Sequence, residues 1–357
     1  MMHTLLGGTG LRVSSIAFGT MTFGTESGYG ADEATSRRLF DLYADHGGNF
    51  IDTANAYTAG ESERMVGAFL DGRRSRFVLA TKYTIPTDKT DLNGGGNGRK
   101  ALVQSLEASL SRLKTDRVDL FWVHVWDGIT PIEEVVRALE DVTRQGKVLH
   151  VGFSDHPAWL VARADALAEM AGWTRPAAIQ IEYNLAERDA ERDLLPMAES
   201  LGMGVLAWAP LAGGALTGKY LDGAGGGRVS SEAAGHYTKY REGRIADVAR
   251  AVVACAREMG CTPAQLAIAW VREQSPLTVP LVGARTTEQL EDSLKAAELQ
   301  IPAEIAARLD EVSAIRLGLP HDFLRGSWPR WFGPLHEDLD PRIRTVGRKL
   351  LGMPARR

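Results

Sequence analysis

The chain has 357 residues, 44% of them hydrophobic and 24% charged, so it can bury a large core as one barrel or as two smaller domains. Its formal net charge of -4 provides no basic field to attract nucleic acid or an anionic membrane. The two cysteines, Cys255 and Cys261, lack the spacing of a disulfide framework or a four-ligand zinc site, and we interpret both as reduced core thiols.

The first residues show no targeting pattern. They lack a basic segment followed by a long apolar run, and no later stretch reaches the roughly 18 apolar residues of a membrane span. The sequence therefore predicts a cytoplasmic protein without a membrane partner. Residues 3–14 carry glycines between two short apolar runs, which predicts a hairpin that closes the bottom of a barrel.

Short apolar strands alternate with helical patterns along most of the chain, which is typical of a parallel sheet with helical connections. Eight such units, with strands that are apolar on both faces, favour a closed (β/α)8 TIM barrel over residues 1–317. An open doubly wound sheet is the alternative fold, but no G-x-G-x-x-G match supports it. The eight strand ends are predicted near Gly19, Asp52, Lys82, His124, Ser154, Tyr183, Ala209 and Val282.

The helices between these strands have apolar stripes and start signals. One stripe comprises Leu102, Leu106, Leu110 and Leu113, and another Ile132, Val135, Val136 and Leu139. The segments at 130–133 and 262–265 both have the pattern T-P-x-E/Q, which predicts a capping box with proline at the first helical position.

Three segments fall outside the regular units. Residues 84–98 and 211–243 are long glycine-rich loops after the third and seventh strands, and loops of this length are uncommon unless they serve a site. Residues 318–357 are predicted to form a carboxy-terminal extension near the substrate mouth. Trp328, Trp331 and Phe332 of this extension, together with Trp126 near the mouth, are candidates for an apolar substrate wall. A structural role suits the tail tryptophans equally well.

The most informative residues are Asp52, Tyr57, Lys82 and His124, which stand at or just beyond three consecutive strand ends. Each one alone has an ordinary structural explanation, such as a helix cap, a surface charge or a core histidine. Because the carboxyl ends of the strands of a parallel barrel face one mouth, the four are instead expected to converge there.

The residue types suggest a proton-transfer site. A free phenol titrates near pH 10, so Tyr57 needs a nearby cation to exchange a proton closer to neutrality, and Lys82 can be that cation. Asp52 would hold Lys82 charged and in place, while His124 would hydrogen-bond a substrate oxygen. This arrangement suits the delivery of a proton to a carbonyl oxygen that is being reduced.

The sequence resembles the aldo-keto reductase superfamily over nearly its whole length. The matching segments include Phe18–Met21, Asn49–Tyr57, Gly60–Glu63, Ala80–Lys82, Gly152–Asp155, Gln180–Asn184 and Pro210–Lys219. The segments 124–127 and 154–159 are most similar to the aryl-alcohol dehydrogenase-like branch. The resemblance implies NADP(H) lying across the barrel mouth without a Rossmann domain, a carbonyl or alcohol substrate, and Tyr57 as the general acid.

The resemblance also implies which residues hold the cofactor. Ser154, Asp155 and Gln180 would bind the carboxamide, and Tyr183 would stack on the nicotinamide ring. The loop with Gly213 and Lys219 would face the pyrophosphate. Further contacts are implied at Gly19, Thr20, Met21, Asp52, Ala209, Pro210, Leu211, Gly283, Gln289, Asp292 and Ser293.

Some positions need a second interpretation. Residues 213–219 have the G-x-x-x-x-G-K spacing of a P-loop, but Tyr220 replaces the hydroxyl residue that would hold magnesium, which argues against a nucleotide hydrolase. Thr286 and Gln289 match a capping box, while in the family this helix start receives the adenosine phosphate and Arg285 would bind the 2′-phosphate. These features together predict a preference for NADPH over NADH.

Asp155, Ala209 and Ser293 depart from the asparagine, serine and asparagine that are frequent in the family. An ionised Asp155 accepts a hydrogen bond from the carboxamide nitrogen but cannot donate one to its oxygen. The sequence thus predicts an NADPH-dependent reductase of aldehydes or ketones, aromatic ones included. The alternatives are an oxidative dehydrogenase acting on a sugar or alcohol, and a regulatory binding module like the potassium-channel β-subunits. The sequence gives no indication of oligomeric state.

Overall fold

A computed structural model describes residues 1–26, 29–221, 232–241 and 244–324. Eight parallel strands close into a barrel in chain order, with the last strand paired to the first, which confirms the predicted (β/α)8 fold. The predicted strand ends are correct to within one residue. The barrel strands are β3 (Ala17–Gly19), β4 (Phe50–Asp52), β5 (Val78–Tyr83), β6 (Val118–Val123), β7 (Val148–Ser154), β8 (Pro176–Glu182), β9 (Gly204–Trp208) and β10 (Thr278–Val282).

Helices follow the strands and cover the barrel from outside. Those over the described residues are α1 (Glu33–Asp45), α2 (Glu61–Phe69), α3 (Arg99–Leu113), α4 (Ile132–Arg144), α5 (Ala158–Ala171), α6 (Leu194–Leu201), α7 (Ile245–Met259), α8 (Pro263–Glu273), α9 (Thr287–Leu294) and α10 (Ala303–Ser313). In the part of the chain that the structure describes, no helix is long and apolar enough to cross a bilayer.

The predicted amino-terminal hairpin is present as β1 (His3–Leu5) and β2 (Arg12–Ser14), paired antiparallel. Leu6 and Val13 are fully buried and belong to the apolar cluster inside the barrel. Gly7 has a φ of 57°, and a Cβ there would lie 2.5 Å from the Gly204 nitrogen, at the start of β9. The hairpin therefore closes the amino-terminal end of the barrel, and only the opposite end can hold a site.

The apolar stripes of α3 and α4 are buried as predicted, but of the two capping boxes predicted to have proline at the first helical position only one forms. Thr262 accepts from the backbone of Gln265 and the glutamine side chain bonds back, with proline at the first turn. At α4 the prediction was wrong: Pro131 is the N-cap, and Thr130 donates its hydroxyl to Asp127 instead. Asp127 accepts from both the backbone nitrogen and the hydroxyl of Thr130, which holds Thr130 in the loop that precedes the helix.

Strand residues alternate between the barrel interior and the helical shell. Leu120 and Trp122 of β6 lie inside, whereas Phe121 and Val123 pack outward. The indole of Trp122 is accommodated because its neighbour on β7 is Gly152. A Cβ at Gly152 would lie 2.4 Å from the Trp122 ring.

Replacing Gly152 by alanine is expected to destabilise the chain by about 1–3 kcal/mol, since the added methyl displaces a buried indole or the backbone. Denaturant unfolding measures this change. Gly10→Ala is the matched control, because no atom lies within 4 Å of a Cβ there. Equal effects of the two substitutions would contradict the packing argument.

The domain division at residue 317 remains a prediction. Helix α10 ends at Ser313, and Leu317 is still buried. The predicted tail residues Trp328, Trp331 and Phe332 lie outside the described part of the chain. The two cysteines are both free: Cys255 is buried in α7, and Cys261 is partly buried just beyond it.

Candidate active site

The open end of the barrel brings Asp52, Lys82, Tyr57 and His124 together. Lys82 Nζ forms an ion pair with Asp52 Oδ2 and lies 3.0 Å from Tyr57 Oη. The rings of Tyr57 and His124 meet edge to face, with centroids 6.0 Å apart. Asp52 ends β4, Lys82 is near the end of β5, and His124 follows β6 directly, so adjacent parallel strands bring three of the four side chains to the mouth.

The Asp52 carboxylate is fully buried, and both of its oxygens accept hydrogen bonds. Besides Lys82, the indole nitrogen of Trp122 donates to Oδ1 at 2.9 Å, and Gln180 Nε2 donates to the same oxygen at 3.1 Å. Burial raises the pKa of Asp52, while Lys82, Gln180 and Trp122 oppose that rise. A proton on either oxygen would break one of these bonds, so the pair is best described as carboxylate and ammonium.

The Lys82 ammonium uses each of its three donors. Its other two bonds go to the backbone oxygen of Thr53 at 2.8 Å and to Tyr57. Burial lowers the pKa of Lys82, but the Asp52 carboxylate and the Tyr57 hydroxyl outweigh it, and the net direction is upward. Lys82 therefore stays charged, with one N–H directed at the phenol oxygen.

The pKa of Tyr57 is raised in this structure, and not lowered as the sequence predicted. Burial raises the pKa of Tyr57, and the attraction of Lys82 only opposes that rise. The phenol is thus protonated in the resting site. It can act as an acid only towards an oxygen whose basicity rises during reaction, at which point Lys82 stabilises the phenolate.

His124 is neutral at this site. Burial and the nearby Lys82 charge lower the pKa of His124 to about 3. Its Nδ1 is buried and has no hydrogen-bond partner among the described residues. A neutral imidazole beside the phenol can hold a substrate oxygen without repelling the ammonium.

The loop that carries Tyr57 is held in an unusual backbone conformation. The two residues after it, Thr58 and Ala59, have φ values of 48° and 52°, which is uncommon for residues with a Cβ. Thr58 Oγ1 donates to the backbone oxygen of Phe23 at 2.7 Å and secures this turn. Such strain is often retained where it directs a functional side chain, here the phenol of Tyr57.

Ser154, Asp155 and Gln180 lie next to this group, at the ends of β7 and β8. Gln180 contacts Asp52, and Ser154 Oγ donates to Asp155 Oδ2 at 3.3 Å. Asp155 lies at the mouth with an exposed side chain and a left-handed φ of 51°. Desolvation by the groups crowded around the mouth raises the pKa of Asp155 to about 6.

Tyr183 does not lie at the mouth, so its predicted stacking on a nicotinamide is wrong for this structure. Its ring is 1% exposed and packs against Trp270 of α8, and its hydroxyl donates to Glu191. The reason is strand alternation: Gln180 faces inward, so Tyr183, an odd number of residues later, faces the helices.

Trp208, and not Tyr183, is the aromatic residue at this part of the mouth, and the sequence did not predict it. It ends β9, two residues after the inward-facing Leu206, and is partly exposed. Its indole nitrogen donates to Asp155 Oδ1 at 3.0 Å. The same alternation identifies Trp122, two residues before His124, as an inward-facing support of Asp52, so both tryptophans had a signal in the sequence.

The predicted phosphate-binding segments follow β9 and β10, which are neighbours in the barrel. Ala209 has a φ of 54°, and after Pro210 and Leu211 comes a short 3-10 helix, Ala212–Thr217. Within it Gly213 and Gly214 have φ values of 64° and 92°, and Lys219 Nζ packs over Gly214. These glycines allow backbone that residues with a Cβ rarely adopt.

The second segment is the amino terminus of α9. Thr286 is the N-cap and accepts from the backbone of Gln289, as predicted, but Gln289 Oε1 accepts from the Arg285 nitrogen and not from Thr286. The guanidinium of Arg285 lies 4.3 Å from the Tyr29 ring centroid.

The remaining predicted contacts divide into two groups. Gly19 pairs with Asp52 across the sheet, Thr20 bonds the Asp52 backbone oxygen, Met21 is exposed beside them, and Gly283 lies against the Gly19 oxygen. Asp292 and Ser293 are instead used within the fold. Asp292 accepts from Thr262 and Gln265, and Ser293 donates to the Gln289 oxygen.

A cavity of about 620 Å³ opens beside Asp155, within the size range of small-molecule sites. Trp126 lines it and contacts Trp159 edge to face at 6.0 Å. The predicted substrate role of Trp126 remains a prediction.

Comparison with known proteins gives an independent indication. The model of the Aldo/keto reductase family matches residues 15–314. The chain is 36% identical to norsolorinic acid reductase of Aspergillus flavus over 335 residues, which cover 90% of this chain and 84% of that protein. It is 34% identical to an aryl-alcohol dehydrogenase [NADP(+)] of Phanerodontia chrysosporium, with coverage of 88% and 86%. An uncharacterised oxidoreductase of Bacillus subtilis, YrpG, is 40% identical, with coverage of 87% and 96%.

Proposed function

The chain belongs to the aldo/keto reductase family, and from this premise we propose that it reduces aldehydes or ketones, aromatic ones included, to alcohols with NADPH. Its similarity to oxidoreductases over most of their length supports the reaction class. The observation that carries the proposal is the 3.0 Å contact between Lys82 Nζ and Tyr57 Oη inside a barrel mouth.

The residues at the mouth fit a nicotinamide cofactor. His124 Nδ1 is buried without a partner among the described residues, and together with the polar side chains of Ser154, Asp155 and Gln180 it forms a set that suits a primary carboxamide and a reacting oxygen. Trp208 replaces Tyr183 as the aromatic surface for the ring. The loop 213–219 would hold the pyrophosphate, and the start of α9 the adenosine phosphate.

A bound reduced nicotinamide would supply a hydride, which is a proton with its electron pair, to the carbonyl carbon. The electron pair of the C=O π bond then moves to oxygen, and Tyr57 donates its hydroxyl proton there, which completes the alcohol. Lys82 stabilises the phenolate that remains, because one of its N–H groups already points at that oxygen. Asp52 keeps Lys82 charged, and His124 positions the substrate oxygen as a neutral donor.

The decisive test is turnover with purified protein. Absorbance at the reduced-nicotinamide band is followed with aromatic and aliphatic aldehydes, ketones and, in reverse, alcohols, using both nicotinamide dinucleotides. Reduction of aldehydes or ketones with NADPH supports the proposal. Absence of turnover in either direction over this panel, with folded protein, would overturn it.

Replacing Arg285 by alanine is expected to weaken NADPH binding by about 10- to 100-fold and NADH binding much less, because only NADPH carries the 2′-phosphate that a guanidinium can bind. The Tyr29 ring packs against the guanidinium and would hold it in place for this contact. Equilibrium dissociation constants for both dinucleotides measure the effect, and Arg250→Ala on the exposed face of α7 is the control. Equal losses for the two dinucleotides would remove Arg285 from the phosphate role.

A further inference from the structure

The Asp155 carboxylate is anchored by neutral groups only. Oδ1 accepts from the Trp208 indole at 3.0 Å, and Oδ2 accepts from the Ser154 hydroxyl at 3.3 Å. Its backbone nitrogen donates to the Gln180 oxygen at 3.1 Å, which fixes the residue between three strand ends. The ionised side chain is therefore a negative charge fixed at the barrel mouth, and its described hydrogen-bond partners bring no positive charge.

The Lys82 ammonium does not compensate this charge. Lys82 attracts Asp155 from inside the barrel, but its ammonium is paired with Asp52 and bonded to Tyr57. From the end of β8, Glu182 adds a second negative charge, which is itself paired with Lys239. A fixed carboxylate in this position favours any cation that comes to lie beside it.

We infer that the Asp155 carboxylate makes this site bind the oxidised, cationic nicotinamide more tightly than the reduced, neutral one. The inference rests on the proposed function. A ring that stacks on Trp208 lies beside the carboxylate to which the indole is bonded. The oxidised ring carries a positive charge and the reduced ring none, so the carboxylate stabilises only the first. The same attraction helps the reduced cofactor to give up its electrons, because positive charge then develops on the ring.

Replacing Asp155 by asparagine removes the negative charge while it keeps the size of the side chain. Asp155→Asn keeps an oxygen that can accept from Trp208, and asparagine tolerates the left-handed φ. Its new N–H can bond the carboxamide oxygen, which is common to both forms of the cofactor. The ratio of the two dissociation constants therefore reports the charge alone.

The other charged groups near the site are the same in the unaltered chain and in Asp155→Asn. His156 is neutral near pH 7, since burial lowers its pKa to about 4. His236 and Lys239 approach from the segment after β9 and pair with Glu182. The ionisable groups that face Asp155 or share its cavity are Asp52, Tyr57, Lys82, Glu182, Glu187, Asp189, Arg192 and Asp193, together with these three.

The test is equilibrium binding of NADP⁺ and NADPH, separately and without substrate, followed by tryptophan fluorescence or calorimetry. At pH 8 we expect NADP⁺ to bind more tightly than NADPH to the unaltered chain, and Asp155→Asn to lower its relative affinity by about fivefold or more. Asp193→Asn removes another carboxylate of the same cavity and should leave the ratio unchanged.

A pH comparison on the unaltered chain tests the inference without any substitution. Because the pKa of Asp155 is about 6, the carboxylate is mostly neutral at pH 5 and charged at pH 8, so the preference for NADP⁺ should grow across this range. In Asp155→Asn the ratio should stay flat. A ratio that is unchanged by the substitution at pH 8, or by pH in the unaltered chain, would overturn the inference while leaving the proposed function intact. Failure of both dinucleotides to bind the unaltered chain would overturn the two together.

Discussion

Replacing Tyr57 by phenylalanine is expected to lower kcat for carbonyl reduction by about 10²- to 10⁴-fold, since it removes only the proton donor. The aromatic ring stays against His124 and Lys82, so substrate and cofactor affinity should change little. The measurements are steady-state rates with an aromatic aldehyde and the dissociation constant of NADPH.

Tyr83→Phe is the matched control for the tyrosine substitution. It removes the hydroxyl of a tyrosine on β5 that is fully buried, packs outward from the barrel and donates to the Asn97 oxygen. Its rate should stay close to that of the unaltered chain. If Tyr57→Phe retained most of its turnover, another group would have to supply the proton, and the proposed role of Tyr57 would be lost.

Replacing Lys82 by methionine is expected to have two large effects. The fully buried Asp52 loses its counter-ion, which should lower the free energy of unfolding by about 3–5 kcal/mol. The phenolate of Tyr57 also loses the cation that stabilises it, so kcat should fall by at least the amount expected for Tyr57→Phe. Urea unfolding and steady-state kinetics measure the two effects separately.

Two further variants distinguish these effects. Lys100→Met removes an exposed lysine that pairs with Asp91 at 3.4 Å, and its cost should be within about 1 kcal/mol. Adding Asp52→Asn to Lys82→Met removes the unpaired charge and should restore much of the stability without restoring the rate. A double variant no more stable than Lys82→Met alone would show that packing, and not the buried charge, sets the cost.

The catalytic arrangement depends on a support that is itself buried. Asp52 holds Lys82, and Trp122 and Gln180 hold Asp52 from two other strands. Because these contacts cross the barrel interior, four strands fix the direction of one N–H bond towards Tyr57. A site built on strands in this way keeps its geometry better than one built on loops.

The sequence by itself determined the barrel, the strand ends and the convergence of the quartet. Eight apolar runs separated by helical patterns leave few other folds, and parallel strands must present their carboxyl ends on one side. It also identified the cap at Thr262, whose hydroxyl accepts from the Gln265 nitrogen while it donates to Asp292. At Thr130 the same pattern failed, because Asp127 accepts from both the backbone nitrogen and the hydroxyl of Thr130 and holds this residue in the preceding loop.

Only the tertiary structure decided which side of each strand end faces the mouth and what each charge meets there. Tyr183 and Trp208 are both aromatic residues at strand ends, and the one-residue difference in alternation sends the first to the helices and the second to the site. The raised pKa values of Tyr57 and Asp155 likewise arise from desolvation by neighbouring groups, which come from several strands at once. Local sequence specifies a residue's type and phase, whereas its solvation is a property of the closed barrel.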